Sequence, residues 1–255
     1  MPPDRPIVTL ISDFQTADFY VAAMKAVLLS FCRDVCLIDV THEVPRHDIV
    51  AGSIVLERAL ASFPPATLHL AVVDPGVGTQ RRVIIAEVAG QIVVCPDNGL
   101  ITWSLQRLNC KRTHELTWRP STSSTTFHGR DVMAPAIGIL LQGRPISDIA
   151  KPLEHPFTLD LHLAESGQRG QIIHIDAFGN ATTNVPEAMV RAHPHAAVYI
   201  AGSNVGPVRA TYADVEIGQP LALIGSSGLL EIAIREGSAA SQLQLRVGDV
   251  LTLHP

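Results

Sequence analysis

The stretch Ala71 to Arg82, AVVDPGVGTQRR, decides how the chain is read. Thr67 to Val73 is short, apolar and rich in β-formers, the pattern of a strand buried on both faces. It ends in a carboxylate, Asp74, followed by a Pro-Gly turn (Pro75, Gly76), a second glycine (Gly78) and two arginines (Arg81, Arg82). In open α/β sheets ligands bind just beyond the carboxyl ends of such strands. A carboxylate placed there, on glycines that let backbone approach a ligand, is a functional candidate. An aspartate before Pro-Gly also serves as a plain turn residue, so the rest of the chain must decide.

Upstream, Ile7 to Ile11 reads as another buried strand ending at Ser12-Asp13. Asp18 then opens a helix through about Phe31, its apolar stripe being Val21, Met24, Val27, Leu28 and Phe31. There the helix dipole favours an anion. Val35 to Val40 is a third strand, leading into THEVPRHD (Thr41 to Asp48) and a helix over Ile49 to Ser62 that Pro64-Pro65 stops.

Downstream, Val83 to Val88 and Gln91 to Cys95 form a hairpin around Ala89-Gly90, and PDNGL (Pro96 to Leu100) turns into a short helix near Trp103 to Leu108. TTFHGRDVMAP (Thr125 to Pro135) leads into a helix ending near Gln142, with Gly143 as its stop. This alternation predicts a mostly parallel sheet with flanking helices over residues 1–150. Residues 151–167 fall in a proline-bearing, irregular stretch (Arg144 to Gly167) and are read as a linker. Residues 168–255 carry short β-like runs at Ile172 to Ile175, Ala197 to Ile200, Pro220 to Ile224, Leu229 to Ile234 and Asp249 to Leu253, which predicts a small, mostly antiparallel barrel-like domain.

Composition narrows the function. The chain has 255 residues, 47% of them apolar, enough for a sizeable core. A net charge of −5, with no Lys/Arg block, argues against nucleic acid. MPPDRPIVTLISD lacks the pattern of a signal peptide, and no run approaches the roughly 18 apolar residues of a membrane span. Cys32, Cys36, Cys95 and Cys110 are read as reduced thiols, and the expected location is cytoplasmic. His42-Glu43 with His47 misses the HExxH zinc spacing by one residue, and Pro45 interrupts the helix it needs. GVGTQR lacks the GK[ST] of a phosphate loop, and His193 and His195 are too isolated to specify a metal.

Polar residues remain at the ends of elements: Asp13, Asp18, Asp74, Arg81, Asn98, His128, Asp176, Asn180 and Ser226. Taken together, VVDPGVGTQRR, PDNGL, TFHGRD, IDAFGNATTN and GSSGLLEIA, in this order, resemble the S-adenosylmethionine (SAM) hydrolases, or SAM hydroxide adenosyltransferases, relatives of fluorinase and chlorinase. The resemblance runs from about Ile7 to Leu253. It implies a homotrimer, each site lying between the α/β domain of one subunit and the β domain of its neighbour, and attack of water on C5′ of SAM to give adenosine and methionine.

The resemblance also assigns roles. Asp74, Arg81 and His128 match the catalytic trio. Arginine cannot act as a base near neutral pH, so Arg81 orients, and Asp74 or His128 takes the proton from water. Asp13 matches a ribose-binding aspartate and Asp18 a second acidic position. Asp176 and Ser226 match groups holding the methionine ammonium and carboxylate, and Asn180 a purine contact. Phe127 and Phe178 pack on apolar parts, Asn98 falls in the PDNGL motif, and Glu231 borders the site. No metal or other cofactor is required. Gln15 stands where the family usually has glycine. Fluorinase has tyrosine where Asp74 stands and serine where Gly129 stands. A carboxylate at 74 repels halide and favours water. The rival readings are a SAM-dependent halogenase and a SAM- or adenosine-binding sensor without catalysis.

Overall fold

The computed structural model describes residues 5–161, 164 and 169–254, and divides into two units, residues 1–160 and 161–255. Within the expected linker, 162–163 and 165–167 lie outside the described residues, as do residues 1–4, 168 and 255.

The first unit is a seven-stranded sheet carrying helices. Its elements are β1 (Ile7–Ser12), α1 (Tyr20–Phe31), β2 (Cys36–Thr41), α2 (Ile49–Ser62), β3 (Leu68–Val72), β4 (Val83–Val88), β5 (Gln91–Pro96), α3 (Thr102–Arg107), β6 (Cys110–Leu116), α4 (Ala134–Leu141) and β7 (Ala150–Pro152). Strand order is β2-β1-β3-β5-β4-β6-β7. The pairings β1–β2, β1–β3 and β3–β5 are parallel, whereas β4–β5, β4–β6 and β6–β7 are antiparallel. The sheet is therefore mixed rather than mostly parallel. The hairpin β4–β5 turns the direction, its two-residue loop Ala89-Gly90 sitting at φ +50° and +77°, the left-handed pair that a tight hairpin demands. All five residues of β3 are buried, as a strand covered on both faces should be. One core layer packs Val8, Leu10, Leu70, Val72 and Val94 against Met24 and Leu28 of α1 and Ile137 of α4. The opposite layer sets Ile11, Ala71, Val73 and Val93 against Leu56 and Leu60 of α2.

Two strands of this unit escaped the sequence reading. β6, CKRTHEL, is polar and partly exposed, and its partner β7 is a three-residue edge. Residues 151–160, expected in the linker, hold to this unit: the Phe157 N–H donates to Asp97 Oδ1 (2.7 Å) and the Leu159 N–H to Thr102 Oγ1 (3.0 Å). Helix α1 starts at Tyr20, not Asp18, so Asp18 lies outside the first turn and is exposed. The helix expected through Gln142 opens as a wide π turn, Gly129–Met133, before α4.

The second unit is a closed barrel of β8 (Arg169–Ile175), β9 (Ala181–Pro186), β10 (Ala197–Ile200), β11 (Ser203–Arg209), β12 (Pro220–Ile224), β13 (Leu229–Ile234) and β14 (Val250–His254), in the order β10-β11-β12-β13-β9-β8-β14. Two short helices accompany it, α5 (Glu187–Ala192) and α6 (Ala239–Gln242). Only β11–β12 pair in parallel; the other described pairings are antiparallel. The interior holds Ile172, Val185, Val198, Leu230, Ile232 and Leu251. Closure leaves no open sheet edge.

Candidate active site

In the first unit the sheet's parallel half delivers Asp13 after β1, His42 after β2 and Asp74 after β3 to the same edge. Asp13, Asp18 and Asp74 line one cavity of about 300 Å³ with Phe14, Tyr20, Arg46, His47 and Val77. Arg81 lies two residues before β4, which starts at this edge because it runs opposite to β5. Its Nε donates to Asp74 Oδ1 (2.7 Å) and its Nη2 to Asp74 Oδ2. The same Nη2 lies 3.0 Å from Nδ1 of His128. Both side chains of the ion pair are less than a tenth exposed, so it sits where water screens it little.

The tautomer of His128 follows. Guanidinium only donates, so Nδ1 accepts and the hydrogen of the neutral ring sits on Nε2. Burial pushes the His128 pKa below the ordinary histidine value, and the cations Arg81 and Arg119 push the same way against Asp74 and Asp131. Asp131 fixes the segment ahead of the histidine by accepting the Ser124 N–H (2.8 Å) and pairing with Arg130, whose guanidinium covers Phe127. Phe127 is buried and meets Phe14 and Tyr20 edge-on.

Several residues take unexpected positions. Asn98 is engaged in its own turn: Nδ2 donates to the Val73 carbonyl (2.9 Å) and Oδ1 accepts the Leu100 N–H (3.2 Å), so it props the end of β3. The backbone freedom of Gly78, at φ +81°, serves the chain itself. A Cβ there would stand 2.6 Å from the Thr125 carbonyl oxygen, so the 74–82 loop packs directly on the strap leading to His128. Gln15 holds φ +60°, the conformation that glycine takes at no cost, and its side chain accepts from Arg46 (3.2 Å).

In the second unit Phe178 and Asn180 line a cavity of about 540 Å³ with Tyr212, Ile234, Glu236, Gly237 and Ser238. Asp176 builds the turn that presents them: Oδ1 accepts the N–H groups of Phe178 (2.9 Å) and Asn180 (2.8 Å), and Oδ2 the Asn180 side-chain amide (3.3 Å). Phe178 is 79% exposed, the most exposed large apolar side chain among the described residues. Glu231 accepts from the Tyr212 hydroxyl (2.7 Å), and burial together with that carboxylate raises the Tyr212 pKa to about 12. Ser226 is exposed at the tip of the turn between β12 and β13. Tyr212 was missed in the sequence; only its place three residues beyond the β11 strand, itself unread, would have signalled it. Among the described residues no group of three or more His, Cys, Asp or Glu is arranged to hold a metal ion, and no helix is long and apolar enough to cross a membrane.

Comparison with known proteins decides the family. Residues 8–150 match the model of the SAM hydroxide adenosyltransferase N-terminal domain, and residues 170–252 that of the C-terminal domain. The chain belongs to the SAM hydroxide adenosyltransferase family. Within that family it is 39% identical over 258 residues to the (R)-S-adenosyl-L-methionine hydrolase of Thermus thermophilus, covering 96% of this chain and 97% of that protein. A fluorinase from Actinopolyspora mzabensis is more distant, 26% identical over 289 residues, with 96% of this chain and 95% of that one covered. Among solved structures, an uncharacterized conserved protein from Thermotoga maritima superposes with a TM-score of 0.90 at 30% identity, covering 97% of this chain and 100% of that one.

Proposed function

We propose that this adenosyltransferase-family chain hydrolyses SAM to adenosine and L-methionine. The observation that carries the reading is the buried Asp74–Arg81–His128 constellation beside the Asp13 cavity. It accompanies 39% identity to a protein named for that activity. Water oxygen bonds to C5′, the C5′–S bond breaks, and its electron pair stays on sulfur. Methionine leaves with a neutral thioether, so no acid is needed there. The water must lose a proton as it attacks.

Geometry favours Asp74 as the acceptor of that proton. His128 already spends Nδ1 on Arg81, and its depressed pKa keeps the ring neutral with the hydrogen on Nε2. It is thus equipped to donate to the water oxygen and fix its lone pair toward C5′. Arg81 holds both partners and balances the charge. Asp74 also attracts the sulfonium, which aids binding as much as the transition state. Asp13 takes the ribose hydroxyls, with Asp18 at the rim of the same cavity. In the second unit Asn180 reads the purine edge beside Phe178. Asp176 and Ser226 hold the amino-acid end, and Glu231 supports the wall through Tyr212. None of these steps uses a metal or other cofactor. The finer assembly proposed is a cytoplasmic homotrimer, each site drawing on the first unit of one subunit and the second unit of its neighbour.

The halogenase alternative loses support at two positions. Asp74 puts a buried carboxylate where halide would approach, and Gly129 is tightly packed, since a Cβ there would meet Met24 Sδ and Val72 Cγ1 at 3.2 Å and push them back by a few tenths of an ångström. The test is purified protein with SAM, with and without chloride. Equal adenosine and methionine, unchanged by chloride and lost in Asp74→Ala, is the expected outcome. A 5′-chloro nucleoside would transfer the chain to the halogenases. Tight SAM or adenosine binding without turnover would make it a sensor.

A further inference from the structure

A second polar chain lies beneath the Asp13 cavity. Ser12, fully buried at the end of β1, places Oγ 2.7 Å from Nδ1 of His42. His42 is itself buried, and its Nε2 is 3.0 Å from Asp39 Oδ1. Asp39 Oδ2 reaches Lys25 Nζ on α1 at 2.5 Å. In the neutral ring the hydrogen must be on Nε2, because the carboxylate only accepts, and Nδ1 is bare. The Ser12 hydroxyl therefore donates to Nδ1, and its oxygen accepts the Phe14 N–H (3.4 Å). The Lys25 ammonium and His42 both favour ionised Asp39, whose pKa is lowered although burial opposes this.

This serine–histidine–aspartate order looks like a nucleophilic triad, but Ser12 has no exposed surface for a substrate to reach. Its surroundings give it another task. The Gln15 N–H donates to the His42 carbonyl (2.8 Å), the Val44 N–H to the Ser12 carbonyl (3.4 Å), and the His47 N–H to Asp13 Oδ2 (2.9 Å). The 12–15 and 42–47 loops are thus laced together around Asp13. A register slip between Leu10 and Ile11 gives β2 one extra residue there. Ile11 then pairs with Thr41 and His42 comes alongside Ser12.

We propose that His42 is a positioning residue, acting through Ser12 to hold the Asp13 loop for capture of a ribose diol. This rests on the reading of Asp13 as the diol acceptor. His42 touches no reacting atom; it sets binding and leaves the chemical step alone. A loop held by side-chain hydrogen bonds beneath it loses ligand grip when one buried partner goes unmade.

The experiment is calorimetric binding of adenosine and of 2′,3′-dideoxyadenosine to folded wild type, Ser12→Ala, His42→Gln and His42→Asn, with thermal melts as the folding control. Asparagine can offer an oxygen near the Nδ1 position and keep the Ser12 bond. Glutamine reaches toward Asp39 instead and leaves Ser12 without its acceptor. Ser12→Ala and His42→Gln should weaken adenosine about tenfold, with His42→Asn close to wild type. The dideoxy analogue should show no such split, and in the SAM assay the loss should fall on KM with kcat retained. Equal losses in His42→Gln and His42→Asn, equal losses for both nucleosides, or no adenosine binding by wild type would overturn the proposal. If wild type binds adenosine and shows the split but does not cleave SAM, the hydrolase reading fails and the role of His42 stands.

Discussion

Arg81 grips Asp74 with two parallel hydrogen bonds from Nε and Nη2, a fork meeting a carboxylate. The same Nη2 reaches His128, so one guanidinium fixes both the direction of the carboxylate and the tautomer of the imidazole. A lysine ammonium has the charge and three donors but not the planar fork, and cannot make two parallel bonds to one carboxylate while reaching His128. Arg81→Lys should lower kcat by about a hundredfold or more while the protein stays folded. Arg81→Ala leaves Asp74 buried and unpaired and should also cost about 3–5 kcal/mol of stability by chemical denaturation.

Acid should reveal the His128 environment. Its folded pKa is below the unfolded value near 6.5, so between the two the unfolded chain binds a proton that the native state refuses. Stability contributed this way is full above about pH 6.5 and declines as pH falls through that window. His128→Gln should flatten this part of the stability profile in denaturation measured from pH 8 to 5. If the wild type and the variant ran parallel, the buried, neutral His128 would be wrong.

The loop that carries Gln15 offers a backbone test. A non-glycine residue at φ +60° costs about 1 kcal/mol, and a β-branched one more. Gln15→Gly should keep activity and leave the melting temperature level or higher, although the bond to Arg46 is lost. Gln15→Val should melt several degrees lower.

Gly78 should not tolerate alanine. The added carbon would meet the Thr125 carbonyl oxygen at 2.6 Å in a left-handed conformation, so the 74–82 loop and the 125–128 strap must part. A stability loss of about 1–2 kcal/mol and a fall in kcat larger than any rise in KM are expected.

The proposed trimer has a complementation test. Asp74→Ala and Phe178→Ala proteins, each inactive, should recover part of the activity when unfolded together and refolded as a mixture. Light scattering should give three times the 27.4 kDa chain mass. A 27.4 kDa species with full activity would remove the shared-site model.

How far the sequence could be read depended on where each residue's partners lie along the chain. β3 was legible because burial on both faces leaves an uninterrupted apolar run. β9, ATTNVP, was not, because it buries polar side chains: Thr183 donates to the Leu230 carbonyl and Asn184 accepts the Gln171 N–H. β11 was hidden by Gly206 and Pro207, residues that normally argue against a strand. In the site, Asp74 and Arg81 share one loop, so their pairing was within reach of a motif. His42 lies 30 residues from Ser12 and meets it only through the pairing of two strands. The turn role of Asn98 was legible as an Asn-Gly signal, but its bond to the Val73 carbonyl, 25 residues away, was not.

The antiparallel run of β4 has one more effect. In a wholly parallel sheet the chain leaving Val72 would have to cross to the far side before starting its next strand. Here both ends of the connection, residues 73–82, are anchored on a single rim. The segment carrying Asp74 and Arg81 therefore leaves and re-enters the sheet at the same end, so the two side chains meet without a crossover between them.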